Sequence, residues 1–202
     1  NHAGSAVPLR EGKKTNFEGG VRVPCIMKWP GVIPENELCH TPAMTIDLLP
    51  TFAEITDAPL PKLPIDGKSI FSLLKNPKAG SPHEAYFFYK GGDNSHEWDN
   101  SEIIAVRSGK WKLIYPDTFL TLNGKLPGKD GIPVDYEKAS IDTALFNLET
   151  DISETENLKD EYPDVVKKLS KLAHEYNKEL KQNRRSVTWI TDSISLSKSH
   201  GK

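Results

Sequence analysis

Hydrophobic and polar positions follow different rhythms along this chain, and each rhythm predicts a different element. Near the C-terminal end Val165, Val166, Leu169, Leu172, Ala173, Tyr176 and Leu180 recur at three- and four-residue steps, the period of an amphipathic helix that starts near Pro163, a good first-turn residue. Its other face carries Lys167, Lys168, Lys171, Lys178 and Lys181, interrupted by Glu175 and Glu179, which is the make-up of a solvated face. In the middle of the chain Ile103 to Arg107 and Trp111 to Tyr115 flank Ser108-Gly109-Lys110 and predict a hairpin. Ile104 and Val106 alternate with Ala105 and Arg107, and Trp111, Leu113 and Tyr115 alternate with Lys112 and Ile114, so one face is expected to be core. Ala85 to Tyr89 and Leu145, Phe146 and Leu148 add strands, giving an antiparallel sheet.

Towards the N-terminus the rhythm is less regular. Val21, Val23, Cys25, Ile26 and Met27 form a short apolar run ended by Trp29-Pro30-Gly31, which predicts a strand buried in a mixed sheet. Asp47 is placed to cap a helix with Leu48, Leu49 and Pro50 in its first turn and Phe52 and Ile55 on its apolar face, stopping before Ala58-Pro59. Ser69 to Leu74 reads as a short helix ended by Asn76-Pro77, and the composition shift at Lys78 to Pro82 marks the expected domain boundary. Two segments have no pattern of their own: Gly91 to Ser101, with His96 and Trp98, and residues 116 to 137, punctuated by Asn123-Gly124, Pro127-Gly128 and Asp130-Gly131. Loops of that length are functional or disordered. From Gln182 the chain is polar, and Trp189 and Ile190 alone could dock it.

With 202 residues, 37% hydrophobic and 27% charged, the chain is an ordinary soluble globular sequence of one domain or one and a half. A formal charge of -2 and a pI near 6.3 give no attraction for nucleic acid. No apolar run approaches the length needed to cross a membrane. Cys25 and Cys39 fit no zinc pattern and leave at most one bridge open. Asp93, Glu97 and Asp99 lack the glycine and closing glutamate of a calcium-binding EF-hand loop, so no metal ligand is assigned.

Candidate chemistry concentrates in residues 9 to 24, LREGKKTNFEGGVRVP. Gly12 and the pair Gly19-Gly20 allow positive φ and close approach of the backbone, and Lys13 and Lys14 set ammonium groups beside that loop, so it can hold an anion. The alternative is a surface loop with solvated lysines. A nucleotide-phosphate loop is excluded, because Val7 stands where its first glycine belongs and Lys14 where its Ser or Thr belongs. Thr15 and Glu18 are expected to fix the loop through side-chain to backbone bonds, and Arg22 to tie down carbonyls or an acid.

The segment PLREGKKTNFEGGVRVPCIMKWPG, followed in order by TIDLLPTFAEITDAPLP, IDGKSIFSLL, AVRSGKWKLIYP, LFNLETDISETENL and YPDVVKKL, resembles the sulfatases, arylsulfatases above all. The resemblance implies a C-terminal part: an alkaline-phosphatase-like α/β catalytic domain closed by residues 1–80, then a small α+β subdomain, residues 81–202, with an antiparallel sheet and C-terminal helix. It implies hydrolysis of the sulfate ester of a small molecule or glycan by a formylglycine nucleophile with calcium, both supplied by the N-terminal part upstream, since neither Cys25 nor Cys39 sits in the Cys/Ser-x-Pro-x-Arg setting. By the same resemblance Lys13 is the catalytic and substrate-binding lysine, His2 a second residue facing the ester, Lys14 solvent-facing, and the location periplasmic or secreted. A phosphoryl-transferring hydrolase of the same superfamily and a non-catalytic relative remain alternatives.

Overall fold

The computed structural model describes residues 6–13, 15–90, 102–125, 132 and 134–183. His2, Lys14, the 91–101 segment with His96, Trp98 and the three carboxylates, and Trp189 and Ile190 lie outside them. Strands β1 (Tyr86–Lys90), β2 (Glu102–Ser108), β3 (Trp111–Ile114) and β6 (Ala144–Asn147) form an antiparallel sheet in the order β1-β2-β3-β6. Between β3 and β6 the chain makes a two-stranded ribbon of β4 (Asp117–Thr121) and β5 (Glu137–Ile141). Helix α4 (Pro163–Asn183) closes the described chain, with short helices α1 (Glu18–Val21), α2 (Leu48–Thr56) and α3 (Phe71–Lys75) before the sheet.

The hairpin forms as its pattern predicts. Ser108 pairs with Trp111, leaving Gly109 and Lys110 as the turn, and Gly109 takes a φ of 55°, the left-handed region that a two-residue turn requires. The expected single core face does not hold: both faces of the sheet are covered. On one face Val106, Leu113 and Leu145, each 0% exposed, pack with Ile103 and Ala85 against Leu169 and Ala173 of α4. Removing each such aliphatic side chain from water contributes roughly 1.5–3 kcal/mol. Tyr176 stacks on Phe87 with ring centroids 4.0 Å apart. The helical stripe thus does what its period foretells, and the lysine face points to solvent.

On the other face Ala105, Ile114, Ala144 and Phe146 pack with Phe119 of the ribbon and with Phe17 from the N-terminal loop. The long excursion of residues 116–137 is therefore partly structured. Phe119 and Thr121 are buried while Leu120 is exposed, an alternation that the glycines and prolines of the excursion mask.

The apolar run after the glycine pair forms no strand. Gly19 to Val21 end a single helical turn, Arg22 to Lys28 take no regular structure, and Val23 and Ile26 are 73% and 95% exposed. A buried strand needs hydrogen-bonded neighbours, and no described segment pairs with this one. Helix α2 also departs from expectation. Its buried residues are Pro50, Thr51 and Ala53, whereas Leu49 and Phe52 face outward. Asp47 stands at its N-cap position without capping it; the carboxylate instead accepts N–H bonds from Met44 at 2.8 Å and Lys68 at 3.0 Å and pairs with His83 Nε2 at 2.6 Å. This contact ties the segment before α2 to the entrance of β1, where Tyr86 donates to the Pro42 carbonyl.

Candidate functional site

Residues 6–22 turn back on themselves and rest on the sheet. The Gly19 N–H donates to the Arg10 carbonyl at 2.9 Å, and the Gly12 carbonyl accepts from Thr15 N at 3.2 Å and Thr15 Oγ1 at 2.8 Å. The glycine pair serves close approach and not positive φ. A Cβ on Gly19 would sit 2.3 Å from the Glu11 carbonyl oxygen, and one on Gly20 would sit 2.2 Å from that of Thr15 and 2.7 Å from that of Gly12. Among the described residues of this loop the left-handed one is Glu11, with φ of 57°. Its carboxylate accepts from Thr121 Oγ1 at 2.7 Å, which fastens the loop to the ribbon. Lys13 projects from the middle of this clamped backbone and is exposed.

Beneath the loop lies a buried ionic cluster that the alternation pattern does not reveal. Lys112, expected on a polar face, is 0% exposed. Its Nζ lies 2.8 Å from Glu18 Oε1 and 2.9 Å from Glu154 Oε1, the latter oxygen an ion-pair partner that accepts no hydrogen bond. Glu18 Oε2 also receives Arg22 Nε and, at 3.2 Å, Arg107 Nη1. Arg22 does tie down an acid, and Thr15 does bond to backbone, but the Glu18 carboxylate holds three cations where backbone bonding was expected. Its own N–H donates to Glu154 Oε2 at 2.6 Å, and Arg10 Nη1 donates to the Glu154 carbonyl at 2.7 Å.

The two glutamates titrate in opposite senses. Burial pushes Glu154 above the ordinary glutamate range, against the pull of Lys112. Burial also opposes ionisation of Glu18, but Lys112, Arg22 and Arg107 together hold its carboxyl below that range. By linkage Glu18 contributes stability above its unfolded pKa that is lost as pH falls through its lowered folded value. Glu154 binds its proton more tightly in the fold, so its contribution is favourable at low pH and is lost as pH rises through its raised value. At pH 7 Glu18→Gln is therefore expected to cost more stability than Glu154→Gln, with the gap narrowing below pH 4.5; urea unfolding of both variants at pH 7 and pH 4 checks the order.

The structure leaves Cys25 and Cys39 as free, exposed thiols. Among the described residues no three His, Cys, Asp or Glu side chains come together in a way that could hold a metal ion. Of the residues singled out from sequence, Glu18 and Arg22 meet in the cluster, Thr15 bonds within the loop to Gly12, and Lys13 is exposed. Arg10, Arg107, Lys112 and Glu154 complete the arrangement and were missed. The signal available for Lys112 is its place inside WKLI, a strand otherwise apolar, where it lies opposite Phe146.

The pattern described as the C-terminal region of aryl-sulfatase matches residues 81–199, and that of the C-terminal region of N-sulphoglucosamine sulphohydrolase matches residues 12–120. Sheet, closing helix and matched patterns define a class: the C-terminal region of the sulfatases. Bovine arylsulfatase A (Bos taurus) is 34% identical over 170 residues, 82% of this chain and 32% of the relative. Human steryl-sulfatase (Homo sapiens) is 40% identical over 132 residues, 64% of this chain and 21% of the relative. A solved structure titled for glycosaminoglycan metabolism in Bacteroides thetaiotaomicron superposes with a TM-score of 0.58 at 25% identity, over 84% of this chain and 32% of that one. The PsFucS1 sulfatase of a Pseudoalteromonas species superposes with a TM-score of 0.68 at 19% identity, over 89% and 34%, which speaks for the fold. The chain belongs to the sulfatase family. It spans about a third of the length of arylsulfatase A.

Proposed function

We propose that this chain is the C-terminal part of an enzyme that hydrolyses sulfate esters of small molecules or glycans, with Lys13 contacting the ester. In this reading residues 1–80 end the α/β catalytic domain, residues 81–202 form the subdomain, and the enzyme works in the periplasm or outside the cell. Calcium and the formylglycine belong to the N-terminal part. His2 is assigned as a second ester contact by resemblance alone. One observation carries the assignment of Lys13: it is an exposed ammonium on a backbone clamped on either side, at Gly12 and Thr15. The fixed backbone limits how far the ammonium must move to meet negative charge growing on the departing ester oxygen.

The test compares the full-length protein on an aryl sulfate and the matching aryl phosphate. Turnover is expected to favour the sulfate by orders of magnitude. A preference for phosphate would move the protein to the phosphoryl-transferring alternative, and turnover of neither would favour the binding relative.

A further inference from the structure

The cluster beneath the loop raises a question of purpose. A buried lysine shared by two buried glutamates is costly to desolvate, and apolar groups of similar volume usually serve a core as well or better. Such a cluster does supply direction: charge-assisted bonds at 2.8 Å fix both partners more sharply than apolar packing does.

Traced outward, the bonds lead from the sheet to the loop. Lys112 sits on β3, the strand hydrogen-bonded to β2 on one side and β6 on the other. From there its Nζ holds Glu18 at the start of α1 and Glu154 in the turn after β6. Glu154 takes the Glu18 N–H on its side chain and Arg10 Nη1 on its carbonyl. Arg10 in turn receives the Gly19 N–H, and Gly20 is pressed against the carbonyls of Gly12 and Thr15. Each link is made by a residue within a few positions of Lys13 or by one that bonds to such a residue.

We propose that Lys112 is a positioning residue for Lys13: it sets the height and angle at which the loop presents the ammonium, without itself reaching the substrate. The inference rests on the reading of Lys13 given under the proposed function. Lys112 is fully buried, so it acts through Glu18 and Glu154 and not by contact.

A double-mutant cycle in the full-length enzyme tests this. Lys112→Met keeps the chain length and removes the charge. It is expected to lower kcat about tenfold or more with KM changed less than about twofold, since a displacement of ~1 Å at a reacting group can cost up to ~10²-fold. In a Lys13→Ala background the same substitution should lower kcat by no more than about twofold, because the group it positions is already gone. Multiplicative losses, or an unchanged kcat for Lys112→Met, would overturn the proposal while leaving Lys13 in the site. A Lys13→Ala enzyme with wild-type rates would overturn the proposed role of the loop itself, and this inference with it. Should Lys112→Met fail to accumulate as folded protein, Glu154→Gln, which keeps shape and loses one charge, runs through the same cycle with the same deciding outcomes.

Discussion

Replacing Lys13 by alanine in the full-length enzyme is expected to reduce kcat on the order of 10²-fold or more while raising KM by a smaller factor. The asymmetry follows from electrostatics. The bound sulfate already carries its charge, but the ester oxygen gains charge only as the bond to sulfur breaks, so the ammonium interacts more strongly with the transition state than with the ground state. Lys14→Ala should have little effect. Lys13→Arg restores charge but spreads it over a planar fork, and is expected to recover only part of the rate. Steady-state kinetics of the three variants on one aryl sulfate separates these outcomes; a Lys13→Ala enzyme as fast as wild type would take the loop out of the active site.

The second large effect concerns folding. Residues 81–202 contain a sheet and a covering helix, the make-up of a unit that folds by itself. The structure argues the reverse. Phe17 is 2% exposed within the sheet's second face, with its ring 5.0 Å from that of Phe119, and Glu18 supplies one of the two carboxylates on Lys112. Emptying a buried phenylalanine site costs about 3–5 kcal/mol, and leaving a buried ion short of a partner costs a similar ~3–5 kcal/mol. Together these approach the whole stability of a domain, roughly 5–15 kcal/mol. A chain of residues 81–202 is therefore expected to unfold without a cooperative transition, and one of residues 6–202 to regain it, by thermal circular dichroism. A sharp melt of the shorter chain would contradict this.

What could be read from the sequence was local. The α4 stripe and the β2–β3 hairpin depend on residues within a few positions of one another, and both appear as predicted, including the turn at Gly109. The loop with Lys13 stood out by its glycines, although their job is tight packing against the carbonyls of residues 10–15 and not left-handed backbone. Failures came where distant segments decide. Lys112 reads as a solvent-facing residue in any alternation, and only the return of Glu18 and Glu154 over that face turns it inward. The run from Val21 to Met27 has the composition of a buried strand but no described strand beside it. In β4 and β5 the turn-forming residues hid an alternation that Phe119 makes sense of only once Phe17 is seen against it.

The bond from Glu18 N to Glu154 spans 136 positions of sequence, and that from Arg10 to the Glu154 carbonyl spans 144. A ribosome adding about 5–20 residues per second needs on the order of 10 s to make that much chain. Throughout that interval the glycine-lysine loop has emerged without the partner that seats it. The loop gains its seat only when the last strand of the sheet and the turn after it have been synthesised. On the proposed reading of Lys13, the site it serves is thereby completed among the last events in the birth of the molecule.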